Sequence, residues 1–344
     1  MRIKRIFQLA VILLSLSSKI FAEENQQSNQ QSNQQSNQQN QKGNLETYLT
    51  IDAAYYPESE YRTSSAHLSK LTGAYYGLEG RATLGAEYTL CTPLGEHWLL
   101  KDAAVVFGGA IELSPVTIKP KLSVSFSPLP FLVLSAGGDI GTGWTLFGWE
   151  GMSVLDKTEN ADDAEYSDLA PFRHFYYDFW LQGTFQFDTG AIFEGDWTHV
   201  LFLASYQVKY AALSGVGDDE IWEWQASDNK ANGWQFYTNA IVAYQMPKMV
   251  NRAGFLFELE GHYDKNDYAV LNNNDFKGDF KTASISPFAQ IKFNEKNSLT
   301  ILASVSSRRA FKEEHDETTV EPYLNYTGYE WYFRRIALSY THRF

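Results

Sequence analysis

His67 and Ser69 stand two residues apart, a spacing at which an imidazole can take the proton of a neighbouring hydroxyl and make it a nucleophile. No Asn or Glu follows at a spacing that would orient the imidazole, and the pair reads more simply as part of an ordinary polar loop. Gly-x-Ser-x-Gly, His-Glu-x-x-His and Asp-x-His do not occur. Asp218-Asp219-Glu220 has neither the glycine nor the ligand spacing of a calcium loop. The single cysteine, Cys91, excludes an internal disulfide framework and a Cys-rich zinc module. The sequence therefore predicts no metal, no cofactor and no enzyme, with His67 and Ser69 as the remote exception.

A larger set of ionic residues is spaced by twos. From Tyr76 to Leu90, one face carries Tyr76, Leu78, Gly80, Ala82, Leu84, Ala86, Tyr88 and Leu90, and the other carries Glu79, Arg81 and Glu87 among Gly and Thr. Val116 to Phe126, Val200 to Tyr210 and Ala253 to Tyr263 repeat the pattern. This is period 2, the period of a β-strand. An apolar face with aromatic ends opposite an ionic face suits a strand with lipid on one side and water on the other. On this register Glu79, Arg81, Glu87, Glu112, Lys119, Lys121, Asp139, Asp178, Lys209, Glu258, Glu260, Lys292, Arg308, Arg335 and Arg343 share the polar side, and all but Arg343 are taken as pore-lining.

Composition agrees. The chain has 344 residues and 15% aromatics, with 21 Tyr, 23 Phe and 9 Trp. Beyond the N-terminus no apolar run reaches the ~18 residues of a spanning helix. A formal charge of -13 gives no electrostatic basis for binding nucleic acid.

Strands are expected near 46–56, 75–90, 103–113, 116–127, 131–149, 172–187, 196–210, 233–246, 251–264, 281–293, 298–310 and 329–344. The fold class is all-β: a transmembrane antiparallel up-and-down barrel of about twelve strands, with about ten or fourteen as alternatives. Four of the five even-numbered connections read as tight turns, including Asp188-Thr189-Gly190, whereas stretches near 150–171 and 211–232 are long. Two links fit poorly, the long turn with Pro93 and Trp98 and the very short one at Ser114-Pro115.

At the end of the chain Phe344, His342, Tyr340, Leu338 and Ile336 alternate with Arg343, Thr341, Ser339 and Ala337. This resembles the closing strand of bacterial outer-membrane β-barrels, which ends on an aromatic residue and is read by the barrel-assembly machinery. The resemblance implies an assembly signal at Phe344, Tyr340, Leu338 and Ile336, with His342 departing from the apolar pattern. The single-Cys, Tyr-rich texture with a Gly-rich fifth strand (Gly137, Gly138, Gly141, Gly143) also resembles uncharacterised spirochaetal outer-membrane barrels. The His67-x-Ser69 spacing resembles that of barrel lipid hydrolases.

Arg2, Lys4 and Arg5, the apolar run Ile6 to Leu16 and the small Ala22 read as a secretory signal peptide, residues 1–22. Residues 23–43 read as a disordered Gln/Asn/Ser tether with nothing apolar to bury. Residues 44–344 form the barrel. Its expected location is the bacterial outer membrane with the long loops external.

Acidic residues gather in those loops, among them Glu150, Asp162, Asp163, Asp168, Asp219, Glu220, Glu223, Glu313 and Glu317. A negative mouth would favour cations, though solvated loops are the plainer reading. Trp222, Trp224 and Trp234, with Trp144 and Trp149, read as interface anchors, with sugar stacking as the alternative. The leading expectation is a porin-like passive channel for small hydrophilic solutes or ions, partnered by outer-membrane lipid. The alternatives are a surface interaction protein or adhesin with a closed lumen and, remotely, an outer-membrane lipid hydrolase.

Overall fold

The computed structural model describes residues 43–57, 77–97, 99–155, 166–217, 220–225, 227–268, 278–314 and 323–344. The signal peptide, nearly all of the tether, and His67 and Ser69 lie outside them, as do Trp98 and several loop acids such as Asp162, Asp219 and Glu317. In chain order the strands are β1 (Asn44–Tyr55), β2 (Leu78–Cys91), β3 (Ala104–Leu113), β4 (Thr117–Leu129), β5 (Leu132–Gly143), β6 (Met152–Leu155), β7 (Tyr166–Asp168), β8 (Tyr176–Asp188), β9 (Val200–Leu213), β10 (Trp222–Trp224), β11 (Ser227–Lys230), β12 (Gly233–Gln245), β13 (Val250–His262), β14 (Thr282–Lys292), β15 (Asn297–Glu314) and β16 (Tyr323–Arg343).

Twelve of these close into an antiparallel barrel, sealed where β1 meets β16 with Tyr48 opposite Arg343 and Tyr55 opposite Ile336. Closure leaves no strand edge with unpaired backbone groups, which is what a sheet in lipid requires. The other four strands form a second sheet in the order β11-β10-β6-β7. The ends of the barrel differ. Both strand termini and the links 92–103, 130–131, 189–199, 246–249 and 293–296 lie at one end, the turn end; the remaining links lie at the other, the loop end.

The alternation read from the sequence sorts side chains across the wall. Leu84, Leu122, Leu134, Phe179, Leu181 and Phe255 are exposed on the outside, an apolar surface of the kind that faces lipid. Inside, short polar residues join neighbouring strands: Ser284 to Ser306 at 2.8 Å, Ser286 to Ser304 at 3.0 Å, Ser205 to Asn239 at 3.0 Å and Ser125 to Ser135 at 3.0 Å. Two glycines are required by close approach. The Tyr48 ring lies across Gly85 and the Trp180 ring across Gly137, each where a Cβ would come within 2.5 Å of it.

Each of the twelve expected segments overlaps one barrel strand. Several boundaries depart from expectation: β15 runs on to Glu314 and β16 begins at Tyr323, both beyond the expected 298–310 and 329–344, and three others shift for local reasons. The fifth strand stops at Gly143 rather than continuing to residue 149, because Leu146 and Trp149 close a hairpin around Phe147 and Gly148, both at positive φ (53° and 78°). The next barrel strand begins at Tyr176 rather than 172, since Phe172 sits at φ 60°.

The link after β8 is not a tight turn at Asp188-Thr189-Gly190 but a loop spanning 189–199. Asp188 holds it by accepting from Gly190 N at 2.9 Å and pairing with His199 Nδ1 at 2.8 Å. The short link at Ser114-Pro115 works because Ser114 Oγ accepts from the backbone N–H groups of Val116 (3.2 Å) and Thr117 (3.0 Å).

Candidate functional site: the barrel interior

A belt of paired charges occupies the loop-end half of the interior. Arg81 Nε reaches Asp52 Oδ2 at 2.9 Å, and its Nη1 lies 3.9 Å from both Glu79 and Glu112. Glu112, with a side chain only 4% exposed, meets Lys121 Nζ at 2.6 Å and Lys119 Nζ at 3.5 Å. Lys119 is 3.8 Å from Asp139 and 5.6 Å from the Tyr176 ring centroid. Asp178 continues the row, accepting from Asp139 N at 3.2 Å and from the Tyr176 hydroxyl. Strand pairing makes the belt continuous, since Glu112 is directly opposite Lys119, Lys121 opposite Asp139, and Asp139 opposite Asp178.

Just past the end of β1, Tyr56 donates to Glu79 at 2.7 Å and accepts from Arg335 Nη1 at 3.0 Å. Burial pushes the Tyr56 phenol up to about 12.

The belt is paired but not dry. Arg81 keeps 31% of its side chain open and Lys121 19%, and Glu260, on the inward row of β13, is exposed. Toward the turn end the wall of β9, β12 and β13 changes character. Leu201, Leu203, Ile241, Ala243 and Leu256 form a buried cluster with Phe288 against it. Leu302, Ala337 and Ala54 continue the apolar surface toward β1.

The loop end carries a cap. Its sheet brings together segments of the loops after β5 and β9, with Trp222 opposite Val154 and Ser153 opposite Asp168. Trp222 has no exposed surface; with Met152 and Trp224 it packs against Tyr176, Ala211 and Leu213 of the barrel wall. Gly141, on the inward row of β5 with Asp139, leaves room for Trp224, whose ring lies 2.8 Å from the position a Cβ would take. Asn232 Oδ1 accepts from Leu213 N (2.8 Å) and Trp222 Nε1 (3.0 Å), and Gln225 Nε2 donates to Thr117 Oγ1 at 2.5 Å. The cap is thus hydrogen-bonded to the interior wall as well as packed on it.

Of the sequence-predicted interior residues, Glu79, Arg81, Glu112, Lys119, Lys121, Asp139 and Asp178 come together in the belt. Lys209 faces inward from β9 beside Asp178's strand, with Trp180 opposite. Glu258 accepts from the Tyr237 hydroxyl at 2.6 Å, and Arg308 pairs with Glu330 at 2.6 Å over the Tyr332 ring. Glu87 lies at the turn end, directly opposite Glu46, which Arg343 pairs at 3.1 Å. Lys292 stays apart from the belt, paired with Glu295 in the following turn at 3.1 Å.

Trp222 and Trp224 correct the expectation of interface anchors, because the cap encloses them. Trp234 remains on the outside, edge-on to Phe179 at 5.4 Å and Tyr210 at 5.5 Å. Of the loop acids, Glu223 is buried within the cap, Asp168 accepts from Thr145 at 2.8 Å and Glu220 from Gly217 N at 2.6 Å. On the last strand Phe344, Leu338 and Ile336 are exposed on the outside. The departure at His342 has a partner there, since His342 Nδ1 and the Tyr340 hydroxyl share Asn297 Oδ1 at 2.8 and 2.5 Å.

Sequence reasoning missed Asp52, Tyr56, Tyr176 and Trp180. Asp52 carried a signal, because it follows Tyr48 and Thr50 at every second position. Tyr176 and Trp180 carried it too, two residues either side of the inward Asp178, but an aromatic in a barrel strand is expected on the lipid side and the residue type overrode the spacing.

No family model matches the chain, and no curated protein sequence matches it. Among solved structures it is similar to the KdgM porin, with a TM-score of 0.35 and 8% identity over 87% of this chain and 99% of that one. It is also similar to the outer membrane channel DcaP of Acinetobacter baumannii, at 0.36 and 12% over 88% and 97%. The beta domain of the Bordetella autotransporter Brka aligns at 0.38 and 8% over 87% and 98%. At these scores the likenesses assign no activity.

Proposed function

We propose that the chain is an outer-membrane barrel acting as a narrow channel for small hydrophilic solutes and ions, with the turn end periplasmic and the capped end external. The observation that carries this reading is the charged belt. Arg81, Lys119, Lys121 and Asp139 face the interior with part of each side chain open to water, behind an exterior of exposed apolar residues. A hydrated row of fixed charges inside a lipid-facing wall is what a path for ions requires. A twelve-stranded bore lies between the filled eight-stranded and the open sixteen-stranded cases, and the cap narrows it further. Excess acid in the external loops favours cations.

A second reading, a surface interaction protein with a closed lumen, is favoured by the cap itself, whose buried Trp222 fixes two long loops to the inner wall. Current through the refolded protein in a planar bilayer under a salt gradient separates the two. Stepwise openings with a cationic reversal potential support the channel. A folded but silent protein, with or without an intact cap, supports the closed barrel. No catalytic step is assigned; if any esterase activity is measured, Ser69→Ala is expected to leave it unchanged.

A further inference from the structure

The segment that leaves β5 first prolongs the ladder with β4, Trp144 N donating to the Val116 carbonyl at 2.9 Å, before it enters the cap. Trp144 extends the outward row of Leu134 and Ile140, both exposed. Its ring stacks on Phe172 at 5.5 Å, and its Nε1 donates to the Pro115 carbonyl at 2.9 Å. Leu146 and Trp149 exchange two backbone hydrogen bonds of 2.9 Å each, which sets both side chains on one face of a two-residue hairpin. Thr145, on the opposite face, donates to Asp168 of the cap. The hairpin therefore has a polar side toward the cap and an apolar side away from it.

Its tip is unusual. Phe147 occupies the first central position at φ 53°, where a hairpin of this kind calls for Asn, Asp or Gly. Its ring is 84% exposed, edge-on to Trp149 at 6.3 Å. From Ile140 to Trp149 there is no charged residue, whereas Glu150 follows at once and the cap loops carry many carboxylates. A strained backbone presenting a bare phenyl ring is expected where the ring has a partner. An uncharged apolar face continuous with a lipid-facing row points to lipid as that partner.

The chain then crosses the rim at Gly151. A Cβ there would fall 2.4 Å from the Val116 carbonyl oxygen, and the Gly151 carbonyl accepts from Gln225 N of the cap at 2.9 Å. Outer hairpin and inner sheet are thereby joined through one fixed crossing.

We propose that the 144–149 hairpin is a lipid anchor: Leu146, Phe147 and Trp149 enter the loop-side half of the bilayer beside the barrel and tether the cap to the membrane. This rests on the membrane reading given above. The test uses the full chain carrying Cys91→Ser and one new cysteine at a time, Phe147→Cys, Leu146→Cys, Ile140→Cys or Gly217→Cys. Each is labelled with an environment-sensitive fluorophore and refolded into phosphatidylcholine vesicles containing a shallow nitroxide-labelled lipid. Quenching at positions 146 and 147 is expected within about twofold of that at 140 and several times that at 217.

Quenching at 140 with none at 146 and 147 overturns the anchor alone and leaves these rings to water, a glycan or a protein. No quenching at 140 in a folded protein overturns the membrane reading instead. If the label at 147 prevents folding, position 146 decides.

Discussion

Glu112 is the residue on which the interior charges converge. It is nearly enclosed and touches Arg81, Lys119 and Lys121 within 3.9 Å. Replacing it by Gln leaves three neighbouring cations without their common counter-ion. Removing one partner of a buried pair costs about 3–5 kcal/mol. Because the three cations keep some contact with water, the expected loss for Glu112→Gln is smaller, about 1–3 kcal/mol. Urea unfolding in vesicles measures it. The same variant should move the reversal potential toward anions, because a negative charge has left the interior. Gly137 makes a steric prediction at this scale. An added Cβ meets the Trp180 ring at 2.5 Å and the Leu122 carbonyl oxygen at 2.7 Å, so Gly137→Val should destabilise the folded barrel by about 1–3 kcal/mol. Pairing it with Trp180→Ala should recover part of that loss in the same unfolding assay.

Among the elements, the cap is the unit whose removal separates structure from function. It is short in strand, held by one aromatic cluster and a few hydrogen bonds to the wall. The barrel has its own continuous ladder of strand pairs. Trp222→Ala should therefore release the cap, at a local cost of about 3–5 kcal/mol, while the barrel stays closed. Limited proteolysis should then cut the loops at 144–175 and 214–232 faster, with the gel mobility of the folded barrel unchanged. If the cap narrows the path, single-channel current rises in this variant; an unchanged current would show that the narrow point lies deeper. The apolar wall of Leu201, Leu203, Ile241 and Leu256 is the place to look in that case.

The whole molecule depends on closing the ring between β1 and β16, strands that lie at opposite ends of the sequence. Such a contact comes late because it must overcome the closure entropy of the entire chain. The outward row that ends in Phe344 is free to meet a partner before closure, and we expect it to serve as the assembly signal. Phe344→Ser should lower the amount of folded protein recovered in outer membranes while changing the unfolding of already folded barrel by less than about 1 kcal/mol. Quantitative blotting of membrane fractions, set beside unfolding in vesicles, distinguishes an assembly defect from a stability defect.

Most of the barrel was legible because its apolar outer face and polar inner face impose a binary choice at every strand position. An apolar exterior against a polar interior forces period 2, so Tyr76 to Leu90 or Ala253 to Tyr263 declare strand and face from residue type alone. The inward side of Glu79, Arg81, Glu112 and Lys119 followed from the same rule, and the count of about twelve from the number of such segments.

The interior arrangement was not legible, because period 2 says which side of the wall a residue faces but not what it meets there. Glu112 finds Lys119 through strand pairing, but Arg335 finds Tyr56 only when the ring closes. Trp222 and Trp224 carried the composition of interface anchors, and only the meeting of two distant loops in one sheet turned them into the core of a cap. By itself the amino-acid order determined which residues line the wall and which face away from it. The tertiary structure alone decided how the space inside is filled, because that depends on contacts between segments far apart in sequence, to which local alternation is blind.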